Sequence, residues 1–311
     1  MKTSPKPKIL KPADIRKWLS PRQPFSHKGD YGHVLILAGS KGMSGAAVLA
    51  AKGALRSGAG LVTVATPASQ QPIVAGHVAE CMTLPLPETR EGTISLDALE
   101  QIQNKANQKN FTSVLIGPGL STHPDTVAFV HAFLKYCPLP TVVDADALNA
   151  YTASSNLDLK IRSLSEGAPP LVLTPHPGEL ARILGISVRE VMKDRARRAM
   201  EAAKAAGAVC VLKGHGTCIT DGSVLYRNPT GNPGMATGGS GDVLSGAMAA
   251  WIRQVSPDAK LQERLLRAAA LSVYLHGLAG DLAAKETGAV GITASDLADT
   301  LPKAYRALKV K

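Results

Sequence analysis

Asp242 is the residue on which chemistry in this chain would turn. It closes a run crowded with glycine, GNPGMATGGSGD, which starts at Gly231 and then becomes apolar as VLSGAMAAWI. Glycines let backbone N–H groups turn inward with no side chain in the way. The first N–H groups of a following helix are unpaired, and that end of the helix dipole is positive. Together these features make a cradle for a phosphate. A carboxylate at its mouth would repel a phosphate. It makes sense as a base that takes the proton from a hydroxyl about to attack phosphorus. The competing role is a helix N-cap, which Asp also fills well. The run lacks the GK[ST] ending of a P-loop. It also opens a helix late in the chain, without the acid of a dinucleotide-binding unit, so both of those nucleotide motifs are disfavoured.

Other motifs carry chemistry less openly. KGHGT, from Lys213 to Thr217, follows an apolar run, and Lys213 is suited to a phosphate as a point charge. A tight turn after a core strand would explain the same glycines. His176 lies in TPHPGE, where two prolines stiffen the loop. Glu179 there either orients the site or occupies a first helical turn, where an acid is favoured anyway. Gly119, in GPG, allows close backbone approach to a ligand or makes an ordinary turn. The four cysteines form no CxxC pair, so a zinc site is disfavoured, and reduced core thiols fit a cytoplasmic protein. Of the remaining histidines, His33, His77, His123, His131 and His276 show no metal spacing and read as structural. His215 belongs to the KGHGT loop.

These residues need elements to hold them. HVLILAG is short and almost wholly apolar, as expected of a strand buried on both faces of a parallel sheet. SGAAVLAAKGALRSG follows with small apolar residues at helical spacing, and LVTVATP is a second strand, so a right-handed β-α-β unit is expected. The alternation continues through TSVLIGPG, TVVDADALNAY and PPLVLTPHPGELARIL. SVREVMKDRARRAMEAAKAAG reads as one long amphipathic helix. AVCVLKGHG, TCITDG and SVLYRNP are β-rich, the last two as a hairpin, and three long helices close the chain. The expected fold is α/β: a three-layer αβα domain over residues 27–311, with a mostly parallel central sheet and helices on both faces. Residues 1–26, basic and rich in proline, read as an arm that is partly disordered or draped on a neighbour. In such sheets ligands bind beyond the carboxyl ends of the strands, which puts LAGS, IGPG, VDAD, LTPHPGE, LKGHGT and GSGD along one edge.

Composition narrows the partners. The net charge of +11 is spread over single residues and short groups such as KDRARR, which reads as a solvated helix face. No basic strip is interleaved with aromatics, so nucleic acid is not the expected partner, and a small anionic substrate such as a nucleotide accounts for the charge. No apolar run approaches the ~20 residues that span a bilayer, and no apolar segment follows the basic N-terminus, so neither a membrane nor a secretory signal is expected.

KGDYGHVLILAGS, SGAAVLAAKGALRSGAGLVTVATP, IGPGL, VVDADALN, LTPHPGE, LKGHGT and GNPGMATGGSGDVLSG occur in one order. That series resembles the ADP/ATP-dependent NAD(P)H-hydrate dehydratases of the ribokinase-like superfamily, over roughly residues 25–305. Many relatives carry an N-terminal epimerase domain. Here the motifs begin at His27, so the stand-alone form is expected, with a functional link to an epimerase on another chain.

The resemblance implies a repair reaction. Hydrated NADH or NADPH, with water added across a nicotinamide-ring double bond, is phosphorylated on its hydroxyl, and phosphate then leaves. ADP is the expected donor, with ATP open, and Mg²⁺ the expected metal. Asp242 would be the base, and the backbone of Gly239, Ser240 and Gly241 would hold the transferring phosphoryl group. Lys213, Gly214, His215, Gly216 and Thr217, with Gly241, would bind the nucleotide. Ala46, Ala47, Gly119 and His176 would face the hydrated nicotinamide half, with Tyr31 and Asn149 as further neighbours. Asp144 and Asp146 are weak candidates to hold Mg²⁺ through water, since magnesium uses few carboxylates; a helix cap is the simpler role for Asp146. The resemblance also implies a homo-oligomer, a tetramer among the candidates. Two alternatives stand. A ribokinase-like kinase of a hydroxymethylpyrimidine or thiazole alcohol would share GSGD but leave the phosphate on its product. A nucleotide- or RNA-binding protein without turnover would explain the charge but not Asp242.

Overall fold

His33–Leu37 is buried at every position, and its side chains divide between two cores. Val34 and Ile36 face one, Leu35 and Leu37 the other, as the two-residue period of a strand requires. Each fully buried side chain of this kind contributes about 1.5–3 kcal/mol over its exposed state.

The computed structural model describes residues 6–108, 110–152 and 170–308. In chain order, β1 (Lys8–Ile9) and α1 (Pro12–Lys17) precede β2 (His33–Leu37), α2 (Ser44–Arg56), β3 (Leu61–Pro67), α3 (Gln71–His77) and β4 (Met82–Leu86). Then come α4 (Ala98–Gln108), β5 (Ser113–Ile116), α5 (Pro124–Tyr136), β6 (Thr141–Val143), α6 (Ala145–Thr152), β7 (Leu171–Leu173) and α7 (Pro177–Leu184). The last part holds α8 (Val188–Lys193), α9 (Arg195–Ala206), β8 (Val209–Leu212), β9 (Cys218–Thr220), β10 (Leu225–Arg227), α10 (Ser240–Gln254), α11 (Leu261–Thr287) and α12 (Ala294–Ala307).

Among the described residues the strands form one sheet in the order β1-β10-β9-β8-β7-β6-β5-β2-β3-β4. Pairing is parallel except where β9 meets β8 and β10. One face is covered by α2, α10, α11 and α12, the other by α4 to α6 and then α7 to α9. This is the expected three-layer, mostly parallel architecture. The chain winds outward from β2 in one direction and from β5 in the other, so the switch point lies between them. The register aligns the carboxyl ends: Leu37 pairs Ile116, Ile116 pairs Val143, Val143 pairs Leu173, and Leu173 pairs Cys210.

Small residues let two helices of one layer cross closely. A Cβ on Gly53 of α2 would lie 2.2 Å from the Val243 carbonyl oxygen of α10, and one on Gly246 would lie 2.0 Å from that of Ala50. The abundance of Ala and Gly is thus used in helix–helix contact as well as against the sheet.

Two expectations need correction. The supposed N-terminal arm packs on its own chain where it is described. Lys8–Ile9 pairs in parallel with β10, and Leu10, Ile15, Trp18 and Leu19 are buried in the main core. The supposed long helix over 187–207 is two helices. It breaks at Asp194 (φ −149°, ψ 73°), whose carboxylate accepts from the Arg197 N–H and starts α9 afresh.

Candidate active site

The strand register brings β6, β7 and β8 to one edge, and the residues just beyond them meet. Asp144 follows β6 and is 1% exposed; its Oδ1 accepts from the Thr174 hydroxyl and from Lys213 Nζ, each at 2.7 Å. Lys213 follows β8, and its backbone N–H donates to the Pro175 carbonyl at 2.9 Å. The Lys213 ammonium also lies 4.0 Å from Glu179, whose side chain is 6% exposed. Burial pulls the Lys213 pKa down, but Asp144, Glu179 and Asp242 together leave it raised, so the ammonium stays charged. It has three donors, and Asp144 takes one of them.

Asp242 faces this cluster from the start of α10. It does not cap the helix: the N-cap is Gly239, with φ 85° and no side-chain cap bond. Among the described residues the N–H groups of Gly241 and Asp242 have no partner, so the start of α10 is open. A Cβ on Gly241 would lie 3.6 Å from Lys213 Nζ, so the ammonium and the open helix end adjoin. Burial, reinforced by Asp144 and opposed by Lys213, pushes the Asp242 carboxyl up to about 7. A carboxylate that gives and takes a proton near neutrality is what general-base work needs.

A cavity of about 600 Å³ opens beside it. Its lining brings Lys213, Gly214, His215, Gly216 and Thr217 together with Ser240 and Gly241. The loop over 228–236 closes its other side. Asp281 grips that loop by accepting from the Gly231 N–H at 3.0 Å and from Asn232 Nδ2 at 3.1 Å. Burial holds His276, also in the lining, down at about 4, so it is neutral there.

The switch point supplies the other side. The Gly39 N–H donates to the Pro118 carbonyl at 2.8 Å, and Ser40 Oγ to that of Gly119 at 2.8 Å. A Cβ on Gly119 would lie 3.0 Å from that of Ala46, so these two expected residues adjoin. Ala47 does not reach the surface; its side chain is 0% exposed and packs in the core. Asp146 Oδ2 accepts from the Ser121 N–H at 2.9 Å, and Asn149 Nδ2 donates to its Oδ1 at 3.2 Å. Asp146 thus tethers the end of the IGPG loop rather than capping α6. His176 is the N-cap of α7: its Nδ1 accepts from the Gly178 and Glu179 N–H groups at 2.9 and 3.3 Å. Glu179 Oε2 accepts from the His176 N–H at 2.7 Å, which completes a capping box. Burial and then Lys213 lower the His176 pKa, so the ring is neutral; its Nε2 lies 3.5 Å from Glu179 Oε1, and the side chain is half-exposed.

Tyr31 is misplaced by the sequence reading. It precedes β2, at the amino edge of the sheet, and lines a separate cavity with Arg22, Trp251 and Tyr305. Residues that the reading missed are Thr174, Asp281 and Arg195. Thr174 and Arg195 lie within quoted motifs, the latter in KDRARR, which reads as a solvated face; Asp281 lies 50 residues along the chain from Gly231 in the loop it holds.

The chain matches the family model described as NAD(P)H-hydrate dehydratase over residues 34–303. It belongs to that family. A bifunctional NAD(P)H-hydrate repair enzyme of Moorella thermoacetica is 46% identical over 305 residues, 97% of this chain and 54% of that enzyme. The chain therefore spans about half the length of that relative. The ADP-dependent (S)-NAD(P)H-hydrate dehydratase of Bacillus subtilis is 35% identical over 295 residues, 94% of this chain and 95% of that one. A crystal structure of the ADP/ATP-dependent dehydratase from Bacillus subtilis, co-crystallised with ATP and Mg²⁺, superposes with a TM-score of 0.81 at 30% identity. It covers 98% of this chain and 100% of that one. No helix among the described residues is long and apolar enough to cross a membrane.

Proposed function

We propose that the protein repairs the S-epimer of hydrated NADH or NADPH, using ADP as phosphoryl donor. The observation that carries this reading is Asp242: a carboxylate pushed to about 7, at an open helix start, beside a charged lysine and a nucleotide-sized cavity. The cavity bounded by Lys213–Thr217 and the start of α10 takes the nucleotide. The edge at Ala46, Gly119 and His176 takes the hydrated ring.

The ring hydroxyl gives its proton to Asp242 as its oxygen bonds to the terminal phosphorus of ADP. The P–O bond to the departing AMP breaks, and AMP keeps the electron pair. The N–H groups at the start of α10 and the Lys213 ammonium face the charge that builds on the phosphoryl oxygens. The ring C–O bond then breaks, phosphate leaves with its electrons and takes up the proton that a neighbouring ring carbon gives up, and the double bond returns.

Mg²⁺ fits this site in a restricted way. Asp144 and Asp146 both raise the proton affinity of Asp242, so the three acids share one field that a cation would relieve. Among the described residues no cluster of three or more metal-binding side chains exists, so Asp144 and Asp146 would hold Mg²⁺ jointly with nucleotide phosphates. The ion would neutralise charge on the phosphates.

An epimerase activity would keep the S-epimer supplied. The reading also includes a cytoplasmic homo-oligomer, which light scattering of the purified protein tests. The deciding assay uses hydrated NADH with Mg²⁺ and either ADP or ATP. Reduced-nicotinamide absorbance and free phosphate should rise in step, and the faster nucleotide names the donor. Phosphate that stays on the product would point to an alcohol kinase instead.

A further inference from the structure

The KGHG loop is held by the Thr217 hydroxyl, which donates to the Gly214 carbonyl at 2.8 Å, and by one side chain from a separate helix. Arg195, the first residue of α9, donates through Nη2 to the carbonyls of Leu212 and Lys213, at 3.1 and 3.0 Å, and through Nη1 to that of His215. In a trans peptide the C=O and the next N–H point in opposite directions. Turning the Lys213 and His215 carbonyls to the guanidinium therefore turns the N–H groups of Gly214 and Gly216 away from it. Both glycines line the 600 Å³ cavity, and among the described residues neither N–H has a partner.

The charges run in one sense: guanidinium, carbonyl oxygen, amide hydrogen, open cavity. Peptide N–H groups presented in this way form an anion-binding concavity. The cation behind them strengthens it without touching the ligand. The missing side chains matter too. A Cβ on Gly214, at φ +128°, would lie 3.1 Å from Arg195 Nη2. The break at Asp194 delivers the arginine, because a continuous helix over 187–207 would not restart at residue 195. Arg195 comes from the KDRARR group, but it does not lie on a solvated face.

We propose that Arg195 is a positioning residue that presets the Gly214 and Gly216 N–H groups for the phosphates of a nucleoside diphosphate or triphosphate. This rests on the nucleotide reading of the cavity above. The test is direct binding, so it does not depend on turnover. Calorimetry or ligand-observed NMR with ADP and with adenosine is run on the wild type, Arg195→Met and Arg195→Lys. Arg195→Met should bind ADP at least 10-fold more weakly while adenosine binding changes less than 2-fold. Arg195→Lys, which keeps the charge and part of the donor set, should fall between. In turnover, the KM for the nucleotide should rise while that for the hydrated cofactor stays within 2-fold.

Equal ADP affinity in wild type and Arg195→Met overturns the inference, whether or not the hydrate is turned over. Equal losses for ADP and adenosine also overturn it, since they would mean general support of the loop. Should Arg195→Met fail to fold, Arg195→Lys reads the same ratio. A wild type that binds ADP but leaves the hydrate unchanged would sink the proposed reaction and leave the Arg195 comparison intact.

Discussion

The two loops on either side of Asp144, Ile116–Gly119 and Lys213–Gly216, are held by different means. The first is fixed chiefly by close backbone approach, with Ser40 Oγ and Asp146 adding side-chain bonds. Gly117 sits at φ +132°, and a Cβ there would lie 1.7 Å from the Asp144 carbonyl oxygen. Its neighbours Pro118 and Gly119 are held through their carbonyls by Gly39 and Ser40. The second is held largely by a guanidinium 18 to 20 residues upstream. A loop set by close backbone approach can be damaged by adding a methyl group. A loop set by a distant cation can be loosened without altering its own sequence.

The largest expected effect breaks the first loop. Gly117→Ala must either push β6 away or abandon the left-handed backbone, and a loss of about 4 kcal/mol or more is expected, the range reserved for severe strain or overpacking. Thermal denaturation reads it, and a wild-type Tm would mean that the loop is not fixed by that contact. Asp242 belongs to neither loop and faces the space between them. Asp242→Asn should lower turnover on the order of 10²–10⁴-fold while ADP affinity holds, as for loss of a general base. Full activity would remove Asp242 from the mechanism.

Lys213 ties the second loop to the strand ends beside the first. Lys213→Ala leaves Asp144 and Glu179 without their shared cation. Nucleotide affinity should fall about 10-fold, near the 1.5–3 kcal/mol of a hydrogen bond to a charged group. An unchanged Kd would show that the lysine serves only the carboxylates.

How much of this could be read from the chain follows the same division. Apolar runs such as HVLIL dictate a doubly covered strand, and the rule of carboxyl ends then gathers the motifs on one edge. Gly119 and the GSGD turn were legible because a missing side chain is visible in the sequence. Asp242 stood out as a candidate base, but its freedom from capping was not legible, since the same letter fits both roles until the backbone places Gly239 at the cap. Tyr31 was misread because its position on the opposite edge depends on strand direction rather than residue type. Arg195 and Asp281 were illegible for a different reason. A hydrogen bond from a side chain to loop backbone leaves at most a glycine in the loop, as at Gly214, and nothing in that loop names the residue that makes it. The break at Asp194 was equally hidden, because helical periodicity passes through it unaltered.

The smallest expected effect concerns stability, and its sign separates a functional carboxylate from a structural one. Asp242 titrates at about 7 in the folded protein against 3.8 as its ordinary value. Below 3.8 both states are protonated, and wild type and Asp242→Asn should unfold alike. As pH rises towards 7 the unfolded chain ionises while the folded one resists. Wild type therefore loses stability that the amide variant keeps, and above 7 the difference is constant. Raising a carboxyl from 3.8 to about 7 corresponds to about 4 kcal/mol at full value. Asp242 keeps some exposure, and solvent screening reduces this value, so on the order of 1 kcal/mol is expected. Melting curves at pH 4 and pH 8 should show Asp242→Asn gaining on wild type at the higher pH. A gain that does not depend on pH would mean that the carboxylate is not held at an unfavourable place. A variant less stable at pH 8 would give Asp242 a structural partner and weaken its part in proton transfer between the two loops.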